Sequence, residues 1–121
     1  SYLLLYRAVY NLVENAIKYN HSGGKVTVKI SQTKALSAAH SKPTDYALVE
    51  VTDTGIGISP EFQEKIFDPF FRVDKSRSRA MGGAGLGLAL VNEIARQHGG
   101  QVKVLASSEQ GSTIALVLPL S

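Results

Sequence analysis

A chain of 121 residues with 44% hydrophobic content is one globular domain, large enough for a single core. The absence of cysteine excludes disulfide and thiolate chemistry and fits a reducing compartment, and no apolar run reaches the length of a membrane span. The net charge of +3 is local: Arg72 to Arg79 holds four basic residues and one acidic, and the rest of the chain carries nine of each sign. A nucleic-acid binder spreads basic charge over a face, whereas this concentration suits a small, multiply charged anion.

Tyr2 to about Tyr19 reads as a helix, because Leu5, Ala8, Val9, Leu12, Val13, Ala16 and Ile17 follow the i, i+3, i+4 pattern. Asn11, Asn15 and Lys18 form one polar stripe along it. Asparagine disfavours helix interiors, so two of them a turn apart oppose local propensity. Two readings follow: a solvated edge of an amphipathic helix, or a row of ligands aimed at something polar. Asn20 to Gly24 supplies turn formers. Lys25 to Thr33 alternates Val26, Val28 and Ile30 and reads as a strand, and Gln32 to Thr44 as a polar surface connection. Tyr46 to Asp53 is the next strand, with Val49 and Val51 on one face. It ends in Asp53-Thr54-Gly55-Ile56-Gly57-Ile58. Ser59-Pro60-Glu61 then predicts a short helix capped by Ser59. Ile66 to Phe71 is an aromatic knot, followed by the basic segment.

Four glycines in six residues, Gly82 to Gly87, precede a helical run with Ala89, Leu90, Val91, Ile94, Ala95 and His98 on its apolar side. The junction is either a flexible loop before a core helix or a cradle for an anion such as phosphate, where backbone N–H groups and the helix dipole act together. Val102 to Ala106 and Thr113 to Leu118 read as a closing strand pair around a turn from Ser107 to Gly111. The order of elements predicts an α+β fold, a two-layer α/β sandwich whose mixed, mostly antiparallel sheet carries helices on one face. It excludes a doubly wound dinucleotide fold, whose glycines follow an early strand.

Four stretches now stand in order: Asn11 to Tyr19, Asp53 to Ile58, Ile66 to Asp74, and Gly83 to Ala89. Together they resemble the N, G1, F and G2 boxes of the catalytic ATP-binding domain of sensor histidine kinases, in the superfamily shared with gyrase-type and mismatch-repair ATPases. The resemblance covers nearly all of residues 1–121. It implies ATP and Mg²⁺ as cofactors, an ATP lid, and transfer of the γ-phosphate to a histidine on a separate dimerisation domain in two-component signalling. The implied partners are ATP or ADP, the dimerisation and phospho-acceptor domain of a parent kinase and, through that parent, a response regulator. Neither nucleic acid nor direct membrane contact is implied. The location implied is cytoplasmic, under a parent that can be anchored in the inner membrane.

By the same resemblance Asn15 is the metal ligand, and Asn11 contacts the metal's waters and joins Arg72 as a catalytic residue. A neutral amide carbonyl fits magnesium, which prefers oxygen ligands and takes few from protein. Lys18 suits a phosphate as a point charge. Tyr19 is a wall of the nucleotide pocket or core packing. Asp53 accepts from the adenine amino group or caps a turn. Gly55, Gly57 and Ile58 approach the base and ribose, and Thr113 supports Asp53 through its hydroxyl or a shared water. Phe70 belongs to the aromatic anchor of a mobile lid from about Val73 to Gly82, and Arg72 stabilises charge at the γ-phosphate. Lys75, Arg77 and Arg79 read as solvated lid charges or phosphate contacts. Gly83, Ala84, Gly85, Leu86, Gly87 and Leu88 close over the phosphates. Glu14 reads as a surface residue.

None of His21, His40 and His98 has the setting of a phospho-acceptor, which in this class sits on a helical hairpin. Gyrase-like relatives place a water-activating glutamate where this chain has Asn11, which argues against hydrolysis. The chain begins close to its first box, so the sequence is expected to be an N-terminally truncated domain. The rival expectation is a sensory or truncated nucleotide-binding module with no activity of its own.

Overall fold

The computed structural model describes residues 2–37, 40–69 and 87–120. Helix α1 spans Tyr2–Lys18 and strands β1 and β2 span Val26–Ser37 and His40–Asp53. Two short 3-10 turns follow, Pro60–Phe62 and Lys65–Phe67. Helix α2 spans Gly87–Gln97, and strands β3, Gln101–Ser108, and β4, Gly111–Pro119, close the fold. The strand order is β1-β2-β4-β3, and every described pair is antiparallel. This is the expected α+β sandwich.

Alternation sets which side of the sheet meets the helices. Register places Val51 opposite Ile114 and Val49 opposite Leu116, and all four are buried. Val102 and Val104 extend these rows onto β3. Against them pack Ala8, Leu12 and Ala16 of α1 and Val91, Ile94 and Ala95 of α2. The i, i+4, i+8 spacing on α1 lets two alanines flank one leucine, so the helix comes close to the sheet. Phe67 closes the core from the second 3-10 turn. Leu90, expected on the apolar side of α2, is instead exposed. One residue before Val91 it is rotated about 100° off the buried stripe.

Two local expectations are corrected. Most of the stretch expected to be a surface connection is strand, since β1 and β2 stay paired from Val26–Asp53 out to Ser37–His40. Its polar residues form an arm held by cross-strand pairs, including Lys34 and Asp45 at 4.0 Å. Pro43 fits there because the register with β1 is irregular between Ala35 and Ser37 and the pairing with β4 begins only at Tyr46. Ser59 stands before the first 3-10 turn but its side chain makes no capping bond. The turn is tied back by Gln63, whose Nε2 donates to the Ile58 carbonyl at 3.0 Å.

Candidate nucleotide site

Asn11, Asn15 and Lys18 are all half-buried on α1, and Glu14 is exposed as expected. The amides of Asn11 and Asn15 make no side-chain hydrogen bond among the described residues. Their carbonyls are therefore available to a ligand. Asn11 lines an open cleft together with Tyr6, Arg7, Tyr10 and Leu90. Leu90 lies in the first turn of α2, so one end of the polar stripe faces the start of that helix.

The other end of α1 meets the loop that follows β2. The Tyr19 carbonyl accepts from the Ile56 N–H at 3.4 Å, and Gly55 lies against the same carbonyl, where a Cβ has no room. Asp53 Oδ1 accepts from the Gly55 N–H at 2.9 Å. The carboxylate thus caps its own turn with one oxygen. Its second oxygen takes no bond among the described residues and can receive an amino group.

The partners that hold this loop, Asn20, Lys25 and Ser107, lie outside the stretches that the sequence singles out. Thr54 Oγ1 donates to Asn20 Oδ1 at 3.0 Å and accepts from the Lys25 N–H at 2.8 Å. Asn20 Nδ2 in turn donates to the Lys25 carbonyl at 2.8 Å. On the far side the Ile58 N–H donates to Ser107 Oγ at 2.6 Å. Gly57 has a φ of 78° and packs against the Ser108 carbonyl, and Gly111 packs against the Asp53 carbonyl. The helix end and the β3–β4 hairpin therefore grip the loop from both sides. The signal in the sequence was an asparagine at a helix end and serines in a hairpin, residue types too common to single out.

Thr113 is placed differently from expectation. Its hydroxyl is 2.9 Å from that of Thr52, its register partner, while Asp53 stands opposite Ser112. Thr113 thus points to the open face of the sheet and Asp53 to the helix-covered face. The hydroxyl on Asp53's side of the sheet is that of Ser112, which is buried. Gly87 opens α2 and is exposed, and Leu88 packs against the core. Phe70, Arg72, Gly83, Ala84, Gly85 and Leu86, like the basic segment and the lid, lie outside the described residues.

An antiparallel sheet covered on one side by α1 and α2, with an amide-bearing helix joined to a strand-end Asp-Gly loop, defines a class of nucleotide-binding domain. The chain belongs to the family of histidine kinase-, DNA gyrase B- and HSP90-like ATPases, which it matches over residues 1–121. Among relatives it is 45% identical, over 96% of its length, to the sensor-like histidine kinase SenX3 of Mycobacterium tuberculosis. It spans only 26% of that protein. Among solved structures it resembles the mycobacterial sensor histidine kinase MprB, with 34% identity, a TM-score of 0.76, and coverage of 98% of this chain and 72% of that one. The catalytic domain of histidine kinase ThkA in a nucleotide-free form gives 27% identity and a TM-score of 0.72, covering 97% of this chain and 66% of that one. No helix among the described residues is long and apolar enough to cross a membrane.

Proposed function

We propose that the chain is the catalytic ATP-binding domain of a sensor histidine kinase. It binds Mg-ATP and passes the γ-phosphate to a histidine on the parent's dimerisation domain, from which a response regulator is charged. The observation that carries this reading is that one helix stripe, Asn11 and Asn15, runs between the Asp53 loop and the start of α2. Adenine then lies at Asp53 and the phosphates at the glycine-rich entry to α2. The names of SenX3, MprB and ThkA agree with it. Asn15 would hold the magnesium that the triphosphate brings. Among the described residues no cluster of three His, Cys, Asp or Glu offers a rival site. The domain is assigned to the cytoplasm, with a parent that can be anchored in the inner membrane.

Phosphoryl transfer depends mainly on positioning and charge stabilisation. The test is radiolabel transfer from ATP to an isolated dimerisation hairpin of the parent. The chain should label that hairpin's histidine and show negligible label on His21, His40 or His98. Arg72→Ala should slow labelling far more than it weakens ATP binding, since its charge matters most as the γ-phosphate departs. A folded, ATP-binding chain that labels nothing would be a nucleotide-binding module only, and rapid hydrolysis would place it with the gyrase-like ATPases.

A further inference from the structure

The helix-covered face of the sheet changes character in its last row. Val104, Ile114 and Val51 form one apolar row across three strands, and Val102, Leu116 and Val49 another. At the end of the sheet the row is Ser107, Ser112 and Asp53, each the register partner of the next. Ser107 Oγ lies 3.0 Å from Ser112 Oγ and at the same time accepts the Ile58 N–H at 2.6 Å. A hydroxyl has one proton and two lone pairs, so Ser107 can serve both partners at once. The row begins at the carboxylate that starts the Asp53 loop and ends on the hydroxyl that holds the loop's last residue.

We propose that Ser107 is a positioning residue for the adenine nucleotide, fixing the far end of the Asp53–Ile58 loop in the shape that receives the base. This rests on the ATP-binding reading above. The near end of the loop is already held by Thr54 on Asn20 and Lys25, and its middle by Asp53 on Gly55. The hairpin supplies the remaining anchor through the Ser107 side chain, which bonds the loop at Ile58 and lies beside Gly57. Losing that bond leaves the Ile58 N–H without its partner in a half-buried position and lets the loop sample other shapes.

The test compares ATP and adenosine binding by calorimetry in the wild type and in Ser107→Ala, Ser107→Thr and Ser108→Ala. Ser107→Ala should weaken both ligands alike by about threefold to tenfold, the scale of one hydrogen bond. Ser107→Thr keeps the hydroxyl and should stay within about twofold of the wild type. Ser108→Ala, whose hydroxyl bonds Gln110 within the same hairpin, should bind normally. In the free protein the Ile58 amide should exchange faster in Ser107→Ala. Unchanged affinity or unchanged exchange in Ser107→Ala overturns the assignment. Equal weakening in both Ser107 variants with a lowered melting temperature also overturns it, because hairpin stability then explains the loss. A wild type that binds neither ligand overturns the nucleotide reading and this assignment with it, and that measurement distinguishes the two failures.

Discussion

Asn15 and Gly57 show how much one residue can decide at this site. Asn15 offers a neutral oxygen from a helix interior where asparagine is unfavourable. Asn15→Ala should leave the melting temperature unchanged or slightly raised, and should weaken Mg-ATP more than metal-free ADP. Equal loss for the two ligands in a titration would remove Asn15 from the metal. Gly57 combines a φ of 78° with a carbonyl where its Cβ would stand. Gly23 has a similar φ of 80°, but nothing lies within 4 Å of its Cβ position. Gly57→Ala should therefore cost about 2 kcal/mol or more, and Gly23→Ala about 1 kcal/mol. Denaturant titration of the two variants gives the comparison, and equal losses would show that strain at φ alone matters. Thr113 marks the limit of legibility at this scale. Support of Asp53 by Thr113 is an expectation that comes with the family resemblance. Which face a side chain takes depends on register with a strand some 60 residues away, and a shift of one reverses it.

Elements were legible where burial imposes a period. The 3.6-residue pattern of α1 and the alternation through Val49 and Val51 both reappear as the core. Leu12 is only 1% exposed and lies between Ala8 and Ala16, so Leu12→Ala should destabilise by about 2–5 kcal/mol. Glu14→Ala on the exposed side of the same helix should change stability by less than about 0.5 kcal/mol. Thermal or urea unfolding measures both, and a small loss at Leu12 would mean that α1 does not anchor the core. The outer halves of β1 and β2 carry no apolar alternation in the sequence, and their residues with described side chains, 32–34 and 45–48, are exposed or half-buried. Thr33 opposite Tyr46 and Lys34 opposite Asp45 act by pairing across strands, a relation that neither stretch displays alone.

At the scale of the molecule, several large apolar side chains among the described residues stand exposed on α1 and β1. Leu3, Tyr6, Tyr10 and Ile17 project from α1 at spacings of three, four and seven, and all exceed half exposure. The Tyr6 and Tyr10 rings stack with centroids 6.3 Å apart. On β1, Ile30 is 71% exposed and Val28 43%, and among the described strands β1 pairs only with β2. Exposed apolar residues on α1 and β1, with a β1 edge that has no partner among the described residues, favour association. The isolated chain should self-associate as its concentration rises, and Leu3→Lys with Ile17→Lys, neither of which lines the cleft at Asn11, should reduce this without lowering nucleotide affinity. Sedimentation velocity across a concentration series decides it, and a wild type that stays monomeric throughout would count against these residues as a sticky surface.

The paired arm of β1 and β2 separates two design problems. Its far end, at Ser37 and His40, is thirteen residues along β2 from Asp53, about 40 Å of extended chain. Between them, the strand partnership with β4 from Tyr46 to Asp53 fixes the start of the Asp53–Ile58 loop against the core. Changes in length at the tip are thus decoupled from the geometry at Asp53. Lineages can lengthen, shorten or decorate that extremity as an independent module, and an engineer can splice a reporter there while the Asp53 end keeps its alignment.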